Sequence, residues 1–106
     1  MVEQITPKDA VTMIEDGKAI LIDVREPDEF TTSHIPYAIS IPMSVIDGTF
    51  HHLNFPADKT LIFQCAVGGR SGRVCEYVSA IPNNQYEVMN LAGGIKAWSA
   101  AGLTVI

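Results

Sequence analysis

Two runs in this chain are apolar at successive positions instead of alternate ones: Ala19-Ile20-Leu21-Ile22-Asp23-Val24, and Thr60-Leu61-Ile62-Phe63 leading into Gln64. Strand side chains point to alternate faces, so such a run escapes water only if both faces of its sheet are covered. The rest of the chain supplies the cover. Thr6-Pro7-Lys8-Asp9 is a helix start, with Thr6 as cap and Pro7 first; Ala10, Val11 and Ile14 share a face, and Gly17 stops it. Helical spacing returns over residues 72–81 (Val74, Tyr77, Val78, Ile81) and around Trp98, closed by Gly102. Gln4-Ile5 reads as a short edge strand, Ser33 to Pro42 as a small strand bracketed by prolines, and Tyr86-Glu87-Val88-Met89 as the last strand. Pro27 opens a short helix, Met43 to Ile46 a helical turn, and Asp47-Gly48 and Pro56-Ala57-Asp58 are turns. Strands alternating with helices predict a parallel α/β sheet, whose ligand site lies at the carboxyl ends of the strands.

The 106 residues are expected to form one domain, 1–106, with no linker or repeat. A net charge of −5 without a basic stripe argues against nucleic acid as a partner. No apolar run approaches the roughly 20 residues of a membrane span, so no membrane partner is expected. Met1-Val2-Glu3-Gln4 has neither a basic nor an apolar leader region, and the expected location is cytoplasmic. Two cysteines, Cys65 and Cys75, are too few for a disulfide framework and lack metal-site spacing. No metal or cofactor is expected.

Reactive chemistry concentrates after the second apolar run, in Cys65-Ala66-Val67-Gly68-Gly69-Arg70-Ser71. A free thiol is mostly protonated at neutral pH, and positive charge or helix N-terminal amides are needed to lower its pKa. A loop between a strand's end and a helix's start offers both, through converging N–H groups and the helix dipole. Gly68 and Gly69 are expected to adopt φ > 0 so that these amides turn inward. Arg70 adds a fixed charge, which either lines the loop or turns away to pair with an acidic residue.

Other polar residues read as structural. Asp23 and Arg25 suit an ion pair or backbone anchor at a strand end, with Arg25 to Glu29 plausible across a helical turn. His34 suits a hydrogen-bonded structural role, Cys75 a core position or else a resolving thiol, and Trp98 an anchor for the last helix. His51-His52 reads as solvated loop, with metal or substrate contact as the alternative.

Four stretches together resemble the single-domain rhodaneses, a sulfurtransferase family. Leu21-Ile22-Asp23-Val24-Arg25 with Glu29-Phe30 is similar to the family's first signature. Ser33-His34-Ile35-Pro36 with Ala38-Ile39 is similar to its G-H-I-P-G-A segment. Cys65 to Ser71 resembles the loop C-x-x-G-x-R-S, and Leu91-Ala92-Gly93-Gly94 to Trp98 the G-G-x-x-x-W ending. The resemblance runs from residue 21 to 102. It implies a five-stranded, mainly parallel sheet flanked by helices on both faces. It also implies that Cys65 carries a persulfide sulfur between donor and acceptor, with the backbone of Ala66, Val67, Gly68, Gly69 and Arg70 holding the outer sulfur. The expected donor is a small anion such as thiosulfate; a protein can be the sulfur donor or acceptor. The sequence departs from the family at Tyr37, where glycine is usual, in a turn expected to lie far from the chemistry. It departs again at Ala66, often arginine or another polar residue in active members.

Two rivals remain at this level. Cysteine phosphatases and arsenate reductases use a Cys…Arg loop with C-x5-R spacing, whereas Cys65 to Arg70 is C-x4-R; the shorter loop narrows the cradle toward a single sulfur. A phosphatase also needs a general acid, for which Asp47 is the one candidate. A non-catalytic binding or regulatory module on the same fold typically loses the cysteine, which is retained here, whereas a protein-fed relay would present the same loop.

Overall fold

A computed structural model of the protein describes residues 2–50 and 53–106, together with the backbone alone at Asp47 and Thr49. His51 and His52 lie outside the described residues. Among the described residues, five strands and five helices follow in strict alternation: β1 (Gln4–Ile5), α1 (Pro7–Glu15), β2 (Ala19–Asp23), α2 (Pro27–Thr32), β3 (Ile39–Ser40), α3 (Met43–Thr49), β4 (Thr60–Gln64), α4 (Gly69–Ser79), β5 (Val88–Leu91) and α5 (Gly94–Ala100). The strands form one sheet in the order β1-β5-β4-β2-β3, every pair parallel.

The two apolar runs are β2 and β4, side by side in the middle, with Ile22 opposite Phe63 and Asp23 opposite Gln64. Ile22, Val24, Leu61, Phe63 and Cys65 pack on one face with Val74, Cys75 and Val78 of α4, Ile46 of α3, and Phe50. Leu21, Ile62 and Leu91 pack on the other with Ala10 of α1, Ile35, and Ile95 and Trp98 of α5. Both faces are therefore dry, which is why the central strands need no polar alternation. Trp98 is buried, and its Nε1 donates to Thr104 O at 2.9 Å. The edges β1 and β3 have two residues each, too short to template pairing with another chain.

Several boundaries differ from the sequence expectation. The expected strand within 33–42 contracts to Ile39–Ser40 at the sheet edge, while α3 extends beyond the single turn read at Met43–Ile46. α4 begins at Gly69, before the apolar periodicity starts, because Gly72 N already donates to Gly68 O at 3.0 Å. β5 lies two residues later than Tyr86–Met89. Tyr86 stays out of the ladder because its ring meets Phe50 and Phe55 edge-on and its hydroxyl donates to Phe55 O at 2.9 Å.

The end of β2 is fixed by a buried ion pair. Asp23 is fully buried and Arg25 nearly so. Asp23 Oδ1 accepts from Arg25 N (3.0 Å) and Nε (3.1 Å), Oδ2 accepts from Nη2 (2.8 Å), and Nη2 also donates to Ser33 O (2.7 Å). The pairing of Arg25 with Glu29 expected from helical spacing does not form, because Asp23 is nearer along the chain and fully enclosed. Asp23→Ala leaves the Arg25 charge buried without its partner. It is expected to cost roughly 3–5 kcal/mol, measured as a lowered urea midpoint with unchanged m.

Candidate functional site

The backbone turns sharply after β4, and the conformation of the turn is imposed from behind. Cys65 O accepts from Ile95 N at 2.9 Å and from Gln64 Nε2 at 3.1 Å, and Ala66 O accepts from Lys96 N at 3.2 Å. A trans peptide is planar, with its N–H opposite its C=O. Tying these carbonyls back to the first turn of α5 therefore directs the following amides toward the Cys65 side chain. The approach is close enough to require glycine. A Cβ on Gly94, which sits at φ +62°, would collide with Cys65 O and lie 2.6 Å from the Ala66 carbonyl carbon. At the other end Gly68 closes the loop at φ +110°. Gly69, expected to share that conformation, is the first residue of α4 and lies outside the left-handed region, so a single left-handed residue suffices for the turn.

Cys65 is 1% exposed, at the floor of this loop. Gly68 N donates to its sulfur at 3.1 Å, and the Ser71 hydroxyl lies 3.3 Å away. Burial pushes the thiol up, but the Ser71 hydroxyl and the amides of Ser71, Gly68 and Val67 pull it down further, and the net direction is down. Cys75 behaves in the opposite way: buried in the core, it is pushed up to about 12, chiefly by desolvation. It is a protonated core residue.

Of the two alternatives for Arg70, the guanidinium takes the acidic partner. Nη1 and Nη2 donate to Glu29 Oε1 and Oε2 at 2.7 and 3.0 Å, a bidentate pair between α4 and α2. The pair is joined to α3, since Glu26 N donates to Glu29 Oε1 and Ser44 Oγ donates to Glu26 Oε1 at 3.0 Å. The Arg70 hydrogen bonds hold the Glu29 carboxyl down at about 2. Val67 stands at the loop tip, 60% exposed, and Ala66 offers no polar side chain.

The remaining candidates fall outside the loop. His34 Nδ1 lies 2.9 Å from Phe30 O and its ring stacks on Phe30, a structural role. Tyr37 donates to Glu15 Oε2 at 2.9 Å and meets Trp98 edge-on, on the sheet face opposite the Cys65 side chain. The side chain of Asp47 is outside the description. Gln64 and Asn90 were missed by sequence reasoning, yet each interrupts an apolar strand near its carboxyl end, the position where strand residues meet a ligand site.

The Glu29 pair has a pH consequence. Its carboxyl titrates at about 2 when folded against 4.5 ordinarily, so its contribution is complete above pH 4.5 and lost as pH falls toward 2. Both side chains are about a third exposed, so solvent limits the contribution to about 1 kcal/mol or less. Glu29→Gln is expected to flatten the stability profile between those pH values, measured by denaturation at fixed pH, while leaving it parallel to wild type above pH 5.

Comparison with known proteins agrees with this geometry. Residues 6–101 match the family model described as the rhodanese-like domain. The chain is 31% identical over 107 residues to a sulfurtransferase of Allochromatium vinosum, covering 100% of this chain and 96% of that protein. It is 34% identical to the probable adenylyltransferase/sulfurtransferase MoeZ of Mycobacterium tuberculosis, over 90% of this chain but 24% of that much longer protein. The crystal structure of a rhodanese-related protein from Thermoplasma volcanium superposes with a TM-score of 0.84 at 29% identity, covering 98% of this chain and 97% of that one. The chain belongs to the rhodanese-like domain family.

Proposed function

We propose that this protein moves a sulfane sulfur from a donor to a thiophilic acceptor through a persulfide on Cys65. The observation that carries this reading is the set of donors around Sγ: the Gly68 amide, the Ser71 hydroxyl and the Val67 amide, facing a sulfur whose pKa they lower. The Cys65 thiolate attacks the outer sulfur of thiosulfate. A bond forms between Sγ and that sulfur, the sulfur–sulfur bond of the donor breaks, and sulfite leaves with the bonding pair. The amides of residues 66–70 hold the outer sulfur and its charge. An acceptor thiolate, on a small molecule or a protein, or in the assay cyanide, then attacks the outer sulfur; the bond from that sulfur to Sγ breaks and Cys65 leaves as thiolate. No general base is required once the thiolate exists, and the reaction calls for no cofactor or metal. A cytoplasmic location, where thiols are kept reduced, suits this chemistry. Among the described residues no helix is long and apolar enough to cross a membrane.

A protein persulfide is the alternative donor. Both arms of Arg70 are spent on Glu29, and Ala66 contributes no charge, so the loop offers a dianion amides in place of the Arg70 guanidinium. The same pairing, with the C-x4-R spacing, disfavours a phosphatase, which needs its arginine on the phosphate.

Intact mass before and after thiosulfate tests the reading. The wild-type protein is expected to gain one sulfur atom that dithiothreitol removes. Cys65→Ser gains none and stays folded, and Cys75→Ser gains it as wild type does. Full transfer by Cys65→Ser would overturn the assignment. Gain from a cysteine-desulfurase persulfide but not from thiosulfate would identify the protein-fed relay. Formation of the persulfide is also expected to rise with pH and level off below the pKa of an ordinary thiol, because the folded thiol is shifted down.

A further inference from the structure

The transfer steps use the Ser71 hydroxyl but leave the buried Asn90 behind it without a role. Ser71 is fully buried, and its hydroxyl lies among three acceptors: Asn90 Oδ1 at 2.5 Å, Cys65 Sγ at 3.3 Å and Gly68 O at 3.4 Å. A serine hydroxyl has one proton to give. Asn90 is 4% exposed near the end of β5, and its orientation is fixed by what its nitrogen does. Nδ2 donates to Gly68 O at 3.1 Å and to Gln4 Oε1 at 3.2 Å. Turned over, the carboxamide would set its oxygen against the Gly68 carbonyl oxygen. Oδ1 therefore faces Ser71, and it is the nearest of the three acceptors.

We propose that Asn90 is a positioning residue for Cys65 that acts through Ser71, its carboxamide oxygen competing with the sulfur for the single Ser71 proton. With Cys65 protonated, S–H donates to Ser71 Oγ and Ser71 donates to Asn90. When the thiol proton leaves to solvent, the hydroxyl turns to the thiolate and gives up Asn90. Asn90 thus opposes the loop amides and favours the protonated thiol. Sγ becomes fully hydrogen-bonded only in the charged form.

The charged and titratable groups around this cluster are few among the described residues. Arg70 and Cys75, both on α4, interact electrostatically with Cys65. From the neighbouring elements, Asp23 of β2 acts on Arg70 and is itself paired with Arg25, Glu29 of α2 holds Arg70, and Lys96 of α5 is exposed. None of them touches Asn90 or Ser71 through a hydrogen bond, so substitutions there leave the charged groups in place.

The functional meaning of this competition rests on the persulfide reading, but its test reads the thiol itself and needs no sulfur donor. The Cys65 Cβ resonance is titrated by NMR in wild type, Asn90→Ala, Ser71→Ala, the double variant and Gln4→Ala. Loss of the competitor is expected to lower the midpoint of Asn90→Ala by roughly half to one pH unit, the worth of the one hydrogen bond between neutral groups that ionisation no longer breaks. Ser71→Ala is expected to raise the midpoint, the double variant to match Ser71→Ala alone, and Gln4→Ala to leave it unchanged. An unchanged or raised midpoint in Asn90→Ala overturns the proposal, as do single shifts that simply add in the double variant. So does a shift in Gln4→Ala equal to that in Asn90→Ala, which would mean that Asn90 only ties β5 to β1. Should Asn90→Ala not fold, the infrared S–H stretch of Cys65, assigned by subtraction of Cys65→Ser, decides: it is expected to differ between wild type and Ser71→Ala, and an identical stretch would sink the idea.

Discussion

The site depends on two carbonyls being held from behind. Cys65 O and Ala66 O are bonded by the first amides of α5, and the planarity of the peptide converts that restraint into N–H groups aimed at a sulfur. A restraint of this kind requires α5 to approach the loop at backbone distance, which only Gly94 permits. It also requires α5 to be anchored, which Trp98 does through burial in the core and its bond to Thr104 O. The Gly-Gly-x-x-x-Trp segment and the cysteine loop, separated by more than twenty residues of sequence, are two halves of one device.

Electrostatics at the site is divided between backbone and side chains in an unexpected way. The formal charge nearest the loop, Arg70, is largely neutralised by Glu29, whereas uncharged amides and a hydroxyl supply the contacts to sulfur. Arg70 and Glu29 join α4 to α2, and Glu26 with Ser44 carries the connection to α3. The three segments that rim the loop are therefore braced against one another by groups on the protein's surface, while the core beneath them is apolar. Such a brace holds geometry more than it adds stability, since its members remain partly exposed.

Most of the fold was legible because it rests on apolar continuity and glycine chemistry. Apolar runs at 19–22 and 61–63, each broken only near its carboxyl end by Asp23 or Gln64, read as central strands, and Pro7, Pro27 and Gly17 punctuate helices by rules that act within a few residues. The loop was legible for the same reason: Cys65, Gly68 and the helix after them are adjacent in sequence. What escaped were decisions made across the fold. Tyr86 leaves the ladder for Phe50 and Phe55, and Glu29 is claimed by Arg70, forty-one residues away, instead of Arg25, four residues away. Asn90 meets Gly68 and Ser71 only after β5 has been laid beside β4. Local spacing carries no information about partners that tertiary packing brings together.

The depth of Cys65 has a bearing on oxidative chemistry. A thiol with a depressed pKa is ordinarily the first in a protein to be lost to mixed disulfides and to over-oxidation, because ionisation and exposure tend to rise together. Here they are separated: the thiol is shifted down by the hydrogen bonds around it, yet Cys65 is only 1% exposed. With the cysteine at the floor of the loop, a partner atom has to enter the loop to meet it, so reach as well as ionisation sets what it encounters.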